Sequence, residues 1–292
     1  MKNLDIAYFF KICVYDTAPH VVDPVNPGAV DEILNMGQCW KEEGFKQYRK
    51  NIIDINKEVG RTFRRAYRYI GAAKLVHDDW SNFNSEALNL SKLNKLKEEL
   101  KDKILNTPVS TSGFDRHLFA TAFTPEGIVT FVDTLYPDYK DVYVLNGGPG
   151  TGKTDILDYI SKEALKRGYY VEIYHDPLIP DRIEHIFIPE LSTAILTSNE
   201  INQKQFNGYQ IYMDNVLNPY VLNKNREEIK HSSEAFYQLL NKGLEIISHA
   251  KQLHDQMETY YIPNMDFDKV NEVSDTVINK ILEYEKEYLE KK

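Results

Sequence analysis

The chain has 292 residues, 42% hydrophobic and 27% charged, with a formal net charge of −9. That length suits one large or two ordinary domains with a sizeable core. The acidic balance gives no strong nucleic-acid signal: it argues against broad, sequence-independent binding and leaves room only for a local basic patch. Two cysteines, Cys13 and Cys39, are too few for a disulfide framework or a zinc site. No apolar stretch approaches the roughly 20 residues of a membrane span, so a cytoplasmic protein with no membrane partner is expected.

In chain order, residues 6–15 are apolar but broken by Lys11 and followed by Asp16. They lack the small-residue cleavage site of a signal peptide, and 11–15 is strand-like. A repeat comes next. Ala73-Lys74 and His77-Asp78 recur as Ala250-Lys251 and His254-Asp255, and Lys103-Ile104-Leu105 as Lys280-Ile281-Leu282, at a constant offset of 177 residues. Leu93, Leu96, Leu100 and Ile104 match Val270, Val273, Val277 and Ile281, and their 3-4-4 spacing marks one helix face. Nine positions between 73 and 105 are identical, including Lys, His, Asp and Asn that amphipathicity does not demand. A duplicated helical arm is therefore expected. The first copy has no room for the part that precedes the arm in the second. Residues 1–108 are expected to be the incomplete, mainly helical back half of a first module. Residues 109–292 form a complete one, with core 112–222 and helical arm 226–292. A half-module exposes strand edges and apolar helix faces, so it should dock on the second module or be covered by an oligomer or a partner chain.

Within the second module, strands are expected at 117–121 and 128–132, joined by the turn signal Pro125-Glu126-Gly127. Residues 141–146 are an apolar, β-branched and aromatic run of the kind that makes a buried strand. Directly after it stands Gly147-Gly148-Pro149-Gly150-Thr151-Gly152-Lys153-Thr154, a complete G-x-x-x-x-G-K-[ST] phosphate-binding pattern. Its glycines let the backbone curl so that several N–H groups face one anion. Lys153 supplies a point charge for β- and γ-phosphates, and the Thr154 hydroxyl joins the shell of a Mg²⁺ ion. Asp155 opens a helical stripe, Ile156, Leu157, Ile160, Ala164 and Leu165, whose N-terminus favours the anion. Residues 147–155 are thus the expected cofactor site for ATP or GTP with Mg²⁺, and no base-recognition motif separates the two nucleotides. Further strands are expected at 169–174, 183–188 and 193–197. The link Pro189-Glu190-Leu191 is too short for a crossover helix, so one of the last two is an antiparallel addition. Helices follow from about 226, split near Pro263-Asn264. The expected fold class is α/β, a P-loop NTPase sheet with an antiparallel addition and long helical arms.

The phosphate-loop pattern, Val171-Glu172-Ile173-Tyr174-His175, Ile188-Pro189-Glu190-Leu191 and, upstream, Asp16-Thr17-Ala18-Pro19-His20 with Pro27-Gly28-Ala29-Val30-Asp31 together resemble an uncharacterised family of bacterial tandem P-loop ATPases, sometimes labelled nucleotide kinases. The resemblance covers nearly the whole chain and implies ATP binding. Each half of such a protein carries its own phosphate loop. This chain departs by starting after the first, which puts a two-site mechanism in doubt.

Hydrolysis needs an acid for Mg²⁺ and a group that orients water. Asp16 ends an apolar run as such an acid does, but its counterpart in the second copy is Thr197. Glu190, after Ile186-Phe187-Ile188, is the expected substitute and Asp176 the next candidate; with Lys153 they are the catalytic candidates. Arg116 and Arg182 could neutralise transferring charge. Arg61, Arg64, Arg65 and Arg68 could face the phosphates of a partner or form a solvated helix face. The expected function is ATP binding with Mg-dependent hydrolysis coupled to movement of the helical arms. A small-molecule or nucleotide kinase, or a nucleotide-binding scaffold without turnover, stays open.

Overall fold

The computed structural model describes residues 26, 28, 29, 31–105 and 112–290. The expected strand at 11–15, Cys13 and Asp16 lie outside them. After 3-10 turns at Met36–Cys39 and Glu42–Tyr48 come helices α1 (Arg49–Glu86) and α2 (Leu90–Ile104). Strands β1 (Phe114–Leu118), β2 (Thr121–Thr124) and β3 (Gly127–Thr130) precede a single turn, α3 (Val132–Leu135). Then follow β4 (Asp141–Asn146), α4 (Lys153–Lys166), β5 (Tyr170–His175), β6 (Ile183–Ile188), β7 (Thr193–Ser198) and β8 (Tyr209–Tyr212). Helices α5 (Pro219–Lys224), α6 (Arg226–Tyr261) and α7 (Phe267–Glu290) close the chain. Two compact units divide it, one of residues 56–254 and one of 1–55 with 255–292.

In the larger unit six strands lie in the order β1-β5-β6-β7-β4-β8, and β2-β3 form a separate antiparallel hairpin. This is an α/β arrangement with a mixed sheet. β4 runs parallel to β7 and β8, and β1 to β5, while β6 is antiparallel to both neighbours. The link at 189–192 has room only for such a reversal. β4 lies between β7 and the edge strand β8, and its alternation serves two cores. Tyr143 and Leu145 face Ile156, Leu157, Ile160 and Ala164 of α4, whereas Val144 joins Phe187, Ala194, Leu196 and Phe206 on the other face. Each fully buried side chain of this size stabilises the fold by about 2 kcal/mol.

Two expectations about strands are corrected. Residues 117–121 are not one strand: the chain leaves the large sheet after Leu118, and Thr121 starts the hairpin, whose turn at Gly127 takes φ 108° as the turn signal required. The edge strand β8 was not foreseen, being only four residues with exposed Tyr209 and Tyr212.

The repeated segments fold as helix pairs, α1-α2 and α6-α7, and the breaks between them fall at matching places. Asn89 caps α2 by accepting from Lys92 N–H at 3.1 Å. The 3-4-4 face of α2 is spent on the α/β core: Leu93, Leu100 and Ile104 are buried with α4 and β4. Residues 56–105 thus belong to the same compact unit as the sheet. The corresponding stripe of α7 is only half-buried, and α7 has no buried residue. α1 lies antiparallel to α6: Ser232 bonds Asp79 at 2.7 Å, Gly243 meets Ile70, and Ala66 packs with Ile246 and Ile247.

In the smaller unit, Cys39 is fully buried and its carbonyl accepts from Asp266 N–H at 2.7 Å. Trp40, Phe45 and Tyr261 cluster with ring centroids 5.0–5.9 Å apart. No helix among the described residues is long and apolar enough to cross a membrane.

Candidate functional site

β4 ends at Asn146, and residues 147–152 bring the chain round to the first residue of α4, Lys153. The turn needs glycine at two places, since Gly150 has φ 71° and Gly152 φ 89°. It also needs glycine for space. A Cβ on Gly150 would stand 2.0 Å from the Ser81 carbonyl oxygen of α1. The Asn84 amide donates to the Pro149 carbonyl at 2.8 Å, and the Thr151 hydroxyl to that of Gly148 at 2.9 Å. Helix α1, from the segment expected to be a remnant, thus braces the loop. The N–H groups of Lys153, Thr154 and Asp155 open α4 and have no acceptor within the helix. They face outward with the positive end of its dipole. Lys153 is 9% exposed, and its ammonium donates to the Gly147 carbonyl at 2.6 Å and to that of Gly148. Burial lowers its pKa, opposed in part by the Glu200 carboxylate.

In front of the loop is a cleft of about 210 Å³, bounded by Ser81 and Ser85 of α1, residues 149–155, and the strand ends of the sheet. Parallel β5 and β7 deliver their C-terminal ends to it, and antiparallel β6 its N-terminal end. From these come Asp176, Arg182, Glu184, Thr197, Asn199 and Glu200.

Lys153, Thr154 and Asp176 line the same cleft. Glu190 is a correction. It follows the C-terminus of the antiparallel strand, where Ser192 meets Lys140 and Asp141 at the start of β4. That places it about 17 Å from the loop, the length of the strand. There it is exposed and accepts from Tyr170 N–H at 3.0 Å. Arg116 does not line the cleft. Arg182 does, 3.8 Å from Asp176 and 3.7 Å from Glu200.

Two acids escaped the sequence reading. Glu200 stands where an acid was sought at Thr197, because β7 continues to Ser198 and a turn intervenes. Its Oε1 is 2.6 Å from Nε2 of fully buried His77 on α1. Burial alone would raise its pKa, but the Lys153 charge and the His77 bond prevail and bring it to about 2. Glu184 opens β6 and accepts from Asn199 at 3.1 Å and Asn202 at 2.9 Å. Burial opposes its ionisation, yet His185 and these amides hold it below the usual carboxylate range. A charged residue inside an apolar strand was the available signal. Both Glu184 and Glu200 keep one buried oxygen, Oε2, without a hydrogen-bond partner. They line the same cleft as Thr154, and carboxylate and hydroxyl oxygens are the donor type that a hard cation such as Mg²⁺ takes. His254 and Asp255, the repeat counterparts of His77 and Asp78, are exposed, so the duplicated pair shares no common environment.

Asp176 is 2% exposed and accepts from Leu178 N–H at 2.7 Å and Ile179 N–H at 3.1 Å. Burial outweighs Arg182 and pushes its pKa from 3.8 up to about 6. Between these values the folded chain retains a proton that the unfolded chain has released, so this group's contribution falls as pH rises through the window. Above it, the buried charge costs about 3 kcal/mol. Asp176→Asn is therefore expected to raise Tm at pH 8 by a few degrees, with the gain shrinking at pH 5. Thermal melts at the two pH values check this, and a lower Tm at pH 8 would contradict it.

Family models, curated proteins and solved structures were all compared with the chain, and none matches.

Proposed function

We propose that the chain is a P-loop nucleotide-binding protein that holds Mg-ATP at residues 147–155 and hydrolyses it. The observation that carries this reading is the curled loop at the mouth of α4, with Lys153 and three buried acids, Asp176, Glu184 and Glu200, turned to the same cleft. The first-turn amides of α4, Lys153 and Arg182 would share the phosphate charge. Thr154, Glu184 and Glu200 would hold Mg²⁺, whose chemistry is to neutralise charge developing on the transferred phosphoryl group. Asp176, whose burial raises its pKa to about 6, would accept a proton from the attacking water.

Charge makes the cation a requirement. The cleft is lined by four carboxylates, those of Asp155, Asp176, Glu184 and Glu200, against two cations, Lys153 and Arg182. A bare triphosphate would meet net repulsion there, while the Mg complex would be drawn in. Binding should therefore be strong with Mg²⁺ and lost with excess chelator.

His77 joins the acid beside the site to α1, and α1 packs along α6. A shift of Glu200 on nucleotide binding would reach the helical pair directly, which supports arm movement as the output. The kinase alternative uses the same residues, with an acceptor hydroxyl replacing water at Asp176. Phosphate release measured with and without a panel of small-molecule and nucleoside monophosphate acceptors tests the choice. Free phosphate as sole product supports hydrolysis, and transfer to an acceptor overturns it in favour of a kinase. Binding without either reaction leaves only the scaffold.

A further inference from the structure

One group of residues plays no part in the cleft. Lys57, Arg61, Arg64, Arg65 and Arg68 follow one another along about 17 Å of α1 and fall within an arc of about 100°. All five are exposed. The opposite face of the same helix, with Val59, Thr62, Ala66 and Ala73, is the buried one. Arg61 pairs with Glu58 at 2.6 Å, and Arg65 lies 5.9 Å over the Tyr69 ring. Lys57, Arg64 and Arg68 have no carboxylate within ion-pair distance among the described residues. Like charges therefore sit three and four residues apart at 57/61, 61/64, 61/65, 64/68 and 65/68. This spacing destabilises a helix, and it stands in a chain whose net charge is −9. Arg65 also acts on the Glu245 carboxylate of α6, so the row is only partly neutralised from within, and a row that costs stability with three of its five cations unmatched points to an external counter-charge.

We infer that this face of α1 is a docking surface for the phosphate backbone of a nucleic acid. Four of the five cations are arginine, whose planar fork meets phosphate oxygens two at a time. Tyr67, 56% exposed beside Arg68, offers a ring on which a base can stack. An anionic membrane fits less well. A helix lying on lipid needs a free apolar face beside its basic one, and here the apolar face is packed against α6. The proposal stands apart from the nucleotide reading, because the face points away from the side of α1 that carries His77, Ser81 and Asn84.

The test is fluorescence anisotropy of the full chain with labelled mixed-sequence oligonucleotides, single- and double-stranded. Phosphatidylserine vesicles and polyglutamate serve as competing polyanions. Four or five phosphate contacts should give about a hundredfold loss of affinity between about 50 and about 200 mM salt. The combined variant Arg61→Gln, Arg64→Gln, Arg68→Gln should bind at least tenfold more weakly with a shallower salt dependence. It should also melt no lower than the parent, because repulsion has been removed. Nucleotide affinity at the cleft should be unchanged. No oligonucleotide binding at low salt, equal binding by the variant, or tighter capture by vesicles or polyglutamate would each overturn the inference.

Discussion

Replacing Lys153 by alanine is expected to lower phosphate release from Mg-ATP by about a hundredfold or more, the scale of losing one preorganised charge donor. Lys153 is buried, with its ammonium bonded to the loop carbonyls of Gly147 and Gly148. It is thus held at the loop by the loop's own carbonyls. Burial lowers its pKa, and an incoming anion restores the preference for the charged form. Alanine suits the first position of a helix, so α4 should persist. The variant also removes the Lys153 charge that helps hold Glu200 ionised, leaving Arg182 at 3.7 Å as its cationic neighbour, which adds to the repulsion of phosphate. Steady-state phosphate release by both proteins decides the matter, and equal rates would remove hydrolysis at this loop.

Gly150→Ala should damage both stability and binding. The residue has φ 71°, a region that costs about 1–2 kcal/mol for a residue with a Cβ. The added methyl would also meet the Ser81 carbonyl at 2.0 Å. That oxygen belongs to helix backbone and cannot swing aside, so α1 and the loop must separate, at a further cost of about 1–3 kcal/mol. Nucleotide affinity should fall more than tenfold as the amides lose their common direction. Gly127→Ala is the control. Its φ is 108°, but nothing lies within 4 Å of the added Cβ, so it should show a loss of stability without loss of binding. Denaturant melts and nucleotide titration of both variants give the comparison. Similar behaviour of the two would mean that α1 does not brace the loop.

The loop was legible in the sequence because its chemistry demands fixed residue types at fixed spacing between a strand and a helix. Asp176 was legible as a polar residue at a strand end. Glu190 misled for a topological reason. The short link at 189–191 announced a reversal, and a reversal sends the end of β6 away from the loop while bringing its start, Glu184, toward it. Glu200 was hidden by the turn after Ser198. The bond from His77 to Glu200 spans 123 residues, and no local pattern announces a contact of that range. The amphipathic stripe of α2 was visible, but the same stripe in α7 stays half-buried. Periodicity tells which face is apolar, not what covers it.

The account rests on residues 150–155 and Lys153 holding a polyphosphate at the mouth of α4. Calorimetric titration with ATP, with Mg²⁺ and with excess chelator, on the parent and on Lys153→Ala, measures this directly. The account predicts a single site that needs Mg²⁺ and weakens at least tenfold in the variant. Absence of binding at millimolar nucleotide, or equal affinity in both proteins, would contradict it.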